Sequence, residues 1–260
     1  EMQRSLVGSE MCIRDSPNII MFLVDDMGWQ DTSLPFWTQR THYNDIYETP
    51  NMERLAAQGM MFTQAYACSV SSPSRVSLFT GMNAARHRVT SWTLHKNKTH
   101  EQPDSVLIYP EWNVNGICQE PGIERTTQVT TLAQVLKENG YHTIHCGKAH
   151  FGAIDTPGED PLRMGFEVNI AGHAAGSPAS YYGKENFGNK TDRKNPPAAV
   201  PGLEKYHGTD TFLSEALTLE AEKALDDAQK SDKPFFLYIS FRLIPVTVSY
   251  THLRAHETTL

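Results

Sequence analysis

The first apolar run in the chain, Ile19 to Val24, is rich in β-formers and stops abruptly at Asp25-Asp26-Met27-Gly28. A run of that kind, with no polar alternation, predicts a strand over residues 18–24 buried on both faces of a sheet. Pro50 to Gln58 reads as a short helix with Thr49 as N-cap, Pro50 at its first position and Gly59 as its stop. Met60 to Ala67 follows as a strand. Thr130 to Asn139 sets Leu132, Val135 and Leu136 on one helical face; Gly140 ends it, and Tyr141 to Cys146 reads as the next strand. The longest helical pattern, Thr209 to Gln229, aligns Phe212, Leu213, Ala216, Leu217, Leu219 and Leu225 in a broad apolar stripe. Ser231 to Pro234 breaks it, and Phe235 to Ser240 (FFLYIS) is again a buried strand. Helix, glycine or proline stop, then apolar strand recurs along the chain. That order predicts an α/β sandwich with a largely parallel mixed sheet between helices. Two long irregular segments, 83–128 and 151–207, interrupt it, and loops of that length in a compact domain usually carry function.

Composition narrows the class. With 39% hydrophobic and 20% charged residues the chain is neither disordered, collagen-like nor a coiled coil. Its 260 residues suffice for one large domain. A net charge of −7 and a pI near 5.9 argue against a nucleic-acid-binding surface and leave a local cation site open. No apolar run is long enough to span a membrane.

The two ends carry a signature of their own. Leu6 to Ser16 (LVGSEMCIRDS) can be encoded by a DNA whose reverse complement, read from its third base, encodes VSYTHLRAHE. That is Val248 to Glu257 of the same chain. Unrelated protein segments have a negligible chance of being opposite strands of one oligonucleotide, so residues 1–16 and 247–260 are expected to be sequencing-adapter read-through. The native stretch is then about 17–246, cut at both ends, and any secretory leader would have preceded Pro17. Cys12 falls in the adapter. Cys68, Cys118 and Cys146 remain, an odd number with no pairing pattern, so no disulfide framework is read from them.

Three places carry chemistry. Asp25 and Asp26 lie at the carboxyl end of a strand, where α/β folds place ligands, and two carboxylates can begin a site for a hard divalent cation. The pair alone reads equally as a turn cap and a solvated acid. Ser71-Ser72-Pro73-Ser74-Arg75 runs on to Gly81, and Pro73 suits a first helical turn. Ser71 would then sit at or just before a helix N-terminus, which favours an anion, with Arg75 one turn on. A serine-rich helix cap is the plain alternative. Gly147-Lys148-Ala149-His150 follows another predicted strand, and on an extended chain Lys148 and His150 would face one pocket, as an oxyanion-binding cation and a proton shuttle. By itself it is a surface turn. In a parallel sheet the three strand ends share one edge.

These residues resemble the formylglycine-dependent sulfatases of the alkaline-phosphatase-like superfamily. The strand with its acid pair is matched by PNIIMFLVDDMGW, residues 17–29. The maturation signature (Cys or Ser, any residue, Pro, Ser, Arg, three residues, Leu, Thr, Gly) is matched by SSPSRVSLFTG, residues 71–81, with Phe79 in place of the usual Leu. GYHTIHCGKAHFG, residues 140–152, resembles the second signature, with Ala149 where Trp is common, and residues 48–67 resemble the connecting segment. The likeness implies that residues 17–246 are the N-terminal part of a sulfatase catalytic domain. It implies that Asp25, Asp26 and Ser71 bind one divalent cation, calcium with magnesium as the alternative, and that Ser71 is oxidised to formylglycine. Cys68 lies three positions early and misses the signature. Arg75 would hold the hydrated aldehyde, and Lys148 and His150 would bind sulfate and aldehyde oxygens. Serine at the signature position implies an oxygen-independent radical maturase as partner and a bacterial source, with a periplasmic or secreted location. The remaining cation ligands and a leaving-group acid would lie beyond SFRLIPV, residues 240–246, so this piece is expected to bind metal weakly and to be inactive. Trp92, His95, Trp112, His173, Tyr181, Tyr182 and His207 suit sugar binding, with His173 in Gly172-His173-Ala174-Ala175-Gly176 the first candidate substrate contact. A sulfated glycan is the favoured substrate. The alternatives are a phosphate or phosphonate ester hydrolase of the same superfamily, and a non-catalytic glycan-binding homologue.

Overall fold

A computed structural model describes residues 16–192 and 194–242. Apart from Ser16, the stretches read as adapter-encoded lie outside them. In chain order the elements are β1 (Ile19–Asp25), α1 (Pro50–Gln58), α2 (Ser71–Thr80), α3 (Ala84–His87), β2 (Ile117–Cys118), β3 (Thr127–Gln128), α4 (Leu132–Glu138), β4 (His142–Gly147), β5 (Val168–Ile170), α5 (Leu213–Ala228) and β6 (Phe235–Arg242), with short 3-10 turns between them. The described residues fall into two compact units, one of 16–23 and 68–241, the other of 24–67 with Arg242.

In the first unit the strands lie in the order β1-β6-β4-β5, and β4 pairs in parallel with both β6 and β5. Alternate residues of β6 leave on opposite faces, as a pleated strand requires. Phe235, Leu237 and Ile239 join Ile144 and Cys146 beneath Leu213, Ala216, Leu217 and Ala221 of α5. Phe236 and Tyr238 enter a second cluster with Val76 and Phe79 of α2, Ala133 of α4, Phe151 and Phe166. Helices therefore cover both faces of the sheet, the predicted sandwich. The β4–β6 register sets Gly147, the last residue of β4, opposite Ser240, two residues before the end of β6. Cys68, Cys118 and Cys146 form no disulfide.

Several expectations are corrected. Met60 to Ala67 is irregular chain, not a strand, and Met60, Phe62 and Tyr66 are 78%, 70% and 91% exposed. Apolar composition without a paired neighbour does not make a strand. β1 is buried on one face only: Ile19, Met21 and Leu23 pack against the α2 side, whereas Ile20 and Phe22 are exposed. It stands at the end of the strand order, beyond the reach of α5, which packs on β4 and β5. Val135 and Leu219, assigned to apolar helix faces, are exposed; Ala133 is the fully buried residue of α4. The 151–207 segment contains β5, which the sequence did not reveal.

The second unit is held by side-chain hydrogen bonds around its 3-10 turn. Fully buried Asn44 donates to the carbonyls of Thr32 and Leu34. Thr49 precedes α1 as predicted, but its hydroxyl accepts from the Ser33 N–H at 3.0 Å and caps nothing. No residue of α1 is buried.

Candidate active site

The first unit brings Ser71, Arg75, His150 and His173 together. Ser71 is the first residue of α2, after Val70 in extended conformation. Ser72, Pro73, Arg75 and Val76 are buried, which fixes this turn against the sheet. Gly81, left-handed with φ of 66°, ends the helix. Ser71 is half-buried, and its Oγ lies 3.0 Å from His150 Nδ1. One turn on, Arg75 is 1% exposed. Its Nη2 donates to Ser240 Oγ at 2.7 Å and its Nη1 to the Ser71 carbonyl at 3.5 Å. A permanent cation and a helix N-terminus thus converge on one serine, an arrangement that favours an anion there.

The pairing of His150 with Lys148 does not come from extended chain. β4 stops at Gly147, whose φ of 97° turns the backbone, and His150 itself is left-handed at φ 51°. The Lys148 N–H donates to the Ser240 carbonyl at 3.0 Å, which ties the loop to β6, and its side chain is half-buried. The His150 N–H donates to the His173 carbonyl at 3.1 Å. A Cβ on Gly176 would lie 2.5 Å from the His150 ring, so the imidazole is packed closely against that glycine. Backbone and ring are both constrained, and Nδ1 is held toward Ser71.

His173 sits directly behind. Its Nδ1 donates to the Ala171 carbonyl at 3.2 Å, which leaves Nε2 as the acceptor, enclosed and without a partner among the described residues. Burial pushes its pKa below the usual histidine value, so it is neutral near pH 7. His145, on the same face of β4 as the α2 cluster, is fully buried among Phe151, Phe166 and Tyr238. Burial, and then the charge of Arg75, lower its pKa to about 3. Sequence reasoning missed both His145 and Ser240. The same strand-end argument applied to FFLYIS would have found Ser240, which lies level with Gly147.

Asp25 and Asp26 belong to the second unit. Asp25 closes β1 and is buried at 9% exposure; Asp26 follows with φ of 65° and is exposed.

A sulfatase family model matches residues 17–242. The chain belongs to the sulfatase family. It is 29% identical to a sulfatase of Formosa agariphila over 89% of this chain and 45% of that protein. It is 31% identical to human N-acetylgalactosamine-6-sulfatase over 85% of this chain and 38% of that one. Among solved structures it is similar to Ps i-CgsB in complex with k-i-k-neocarrahexaose, with a TM-score of 0.61 and 26% identity over 89% of this chain and 46% of that one. The sulfatase chain thus spans less than half the length of these relatives.

Membership implies a metal ion and a formylglycine. The Ser71 environment fits the modified residue: it is half-buried, its Oγ lies beside an imidazole, and a buried guanidinium reaches its carbonyl. For the metal, the carboxylates of Asp25 and Asp26 are of the right kind, hard oxygen donors. In number they fall short, because among the described residues no three His, Cys, Asp or Glu side chains gather into a set that could hold an ion.

Proposed function

We propose that the parent protein is a sulfuric ester hydrolase that removes sulfate from a sulfated carbohydrate, with Ser71 oxidised to formylglycine as its nucleophile. The observation that carries this reading is Ser71 at the start of α2, with His150 Nδ1 at 3.0 Å and buried Arg75 one turn on. An unmodified serine would be left as a stable sulfate ester. The hydrated aldehyde supplies two hydroxyls on one carbon, one to displace the sugar alcohol from sulfur and one whose deprotonation expels sulfate and restores the aldehyde. His150 takes or holds the proton at that carbon's oxygens through Nδ1. Arg75, held by Ser240, and Lys148 at the end of β4 place positive charge against the sulfuryl oxygens, where charge grows in the transition state. His173 offers its Nε2 acceptor to a substrate hydroxyl. Asp25 and Asp26 are assigned to the divalent cation, calcium with magnesium as the alternative, and a radical maturase to the oxidation of Ser71.

The carbohydrate substrate is supported by relatives named N-acetylgalactosamine-6-sulfatase and by the k-i-k-neocarrahexaose complex of Ps i-CgsB. A periplasmic or secreted location suits such a substrate, and no helix among the described residues is long and apolar enough to cross a membrane. Residues 17–246 are assigned to the N-terminal part of the catalytic domain. Assays of the full-length parent, matured in a host with the maturase, on matched sulfate and phosphate esters test the reaction. Turnover of the sulfate esters, abolished by Ser71→Ala, is expected. Preferential turnover of the phosphate esters overturns the sulfatase assignment.

A further inference from the structure

The 83–128 segment of the first unit takes no part in the chemistry above, yet it holds an aromatic groove beside it. Trp92 is 49% exposed, and its ring meets the His100 imidazole edge-on at 5.5 Å and 88°. Burial of apolar surface stabilises a fold, so an indole left half in water asks for another role. Its loop is rigidly seated. Thr93 is fully buried, and its N–H donates to Ser72 Oγ at 3.1 Å. Trp92 is therefore one residue from a group bonded to the immediate neighbour of Ser71. Further along, fully buried Asn115 accepts from the Asn97 N–H at 2.7 Å and donates to Asn97 Oδ1 at 2.8 Å.

The surroundings of Trp92 specify a ligand. Trp92, Lys98 and His100 line a narrow cleft of about 10 Å³ with Trp112, so that Trp92 offers a ligand only its exposed half, and Trp112 in turn lines an adjoining cavity of about 280 Å³ with Tyr109 and Arg125 but without Trp92. That volume is near the lower end for small-molecule sites, roughly 300 Å³. The Trp112 indole N–H is enclosed with no acceptor among the described residues, while the Arg88 guanidinium lies over its ring at 5.8 Å. Glu101 and Glu111 also line the groove, and Glu111 is 3.8 Å from Arg125. Aromatic faces suit the C–H faces of pyranose rings, an enclosed indole N–H and carboxylates suit sugar hydroxyls, and Lys98 and Arg125 suit sulfate groups.

We infer that this groove binds the sulfated sugar units flanking the one cleaved at Ser71, with Trp92 as the stacking platform that gives preference for an oligosaccharide over a small aryl sulfate. The inference rests on the sulfatase reading of Ser71, and its test has an arm that does not. In the Ser71→Ala parent, tryptophan fluorescence is titrated with sulfated galactan and glycosaminoglycan hexasaccharides. At least one should perturb the emission, and Trp92→Ala added to that background should weaken its binding about tenfold or more, equivalent to ~1.4 kcal/mol. In the matured parent, Trp92→Ala should lower kcat/KM on the oligosaccharide about tenfold more than on 4-methylumbelliferyl sulfate, chiefly through KM. Trp92→Phe should recover most of the loss, and a folding defect would instead lower turnover of both substrates alike. No hexasaccharide binding, or equal losses on both substrates, overturns the groove. Oligosaccharide binding that depends on Trp92 in a parent with no sulfatase activity overturns the reading of Ser71 and leaves the groove standing.

Discussion

Arg75 is the most constrained charge in the first unit. Its guanidinium is buried at 1% exposure and spans from Ser240 Oγ to the Ser71 carbonyl, a reach that needs a planar fork. Lysine has one head group and cannot make both contacts. Arg75→Lys in the matured parent is therefore expected to lower kcat/KM by on the order of 10²–10³, as for loss of one oriented donor to a developing oxyanion. Steady-state kinetics with a circular-dichroism check on folding reads this; full activity in the variant removes Arg75 from the chemistry. Gly147 is constrained by backbone alone. Its φ is 97°, and a Cβ there would lie 2.3 Å from the Ser240 carbonyl. Gly147→Ala should cost about 1–3 kcal/mol, read as a lower urea midpoint with unchanged slope. His87 shows the opposite case, a Ser–His pair that is structural. The Val89 N–H donates to His87 Nδ1, so Nε2 carries the proton and donates to Ser77 Oγ at 2.9 Å. An imidazole in that tautomer cannot take the Ser77 proton.

At the scale of elements, α5 carries much of one core. Leu217 is 5% exposed against β4, whereas Leu219 on the same helix is 45% exposed. Leu217→Ala should cost about 2–5 kcal/mol and Leu219→Ser less than ~0.5, compared by urea denaturation. Equal costs would contradict the assigned helix face. Both leucines looked alike in the sequence because a broad apolar stripe does not say where the covered surface ends. What was legible followed from local rules: continuous apolar runs for β1 and β6, the Gly140 stop before β4, and Pro73 setting the start of α2 at Ser71. What was illegible depended on partners distant in sequence. Met60 to Ala67 has strand composition and no paired strand. β5 has only three residues and is recognisable only by its register with Ile144 to Cys146. Of the site, Ser71 and His150 were legible as helix-start and strand-end residues. The left-handed turn that aims His150, and the Ser240 anchor of Arg75, were not.

Across the whole molecule, buried neutral histidines tie stability to pH. His145 has a folded pKa of about 3 against an ordinary 6.5, so between those values the unfolded chain binds a proton that the folded chain refuses. Its contribution is complete above pH 6.5 and is lost as pH falls toward 3, and His173 and His87 are shifted in the same direction by burial. For His145 alone the loss is on the order of 2 kcal/mol by pH 5. Urea midpoints should drop between pH 7 and pH 5, and His145→Gln should flatten that drop; an unchanged slope in the variant would assign the effect elsewhere. The family assignment and the sandwich fold stand apart from these tests, whereas the chemistry depends on what becomes of Ser71. Mass spectrometry of the peptide containing Ser71, from full-length parent coexpressed with a radical maturase, measures that directly. Loss of two hydrogens from the Ser71 side chain is expected, with an aldehyde that reacts with hydrazide. An unaltered serine in protein that hydrolyses sulfate esters would contradict a formylglycine nucleophile.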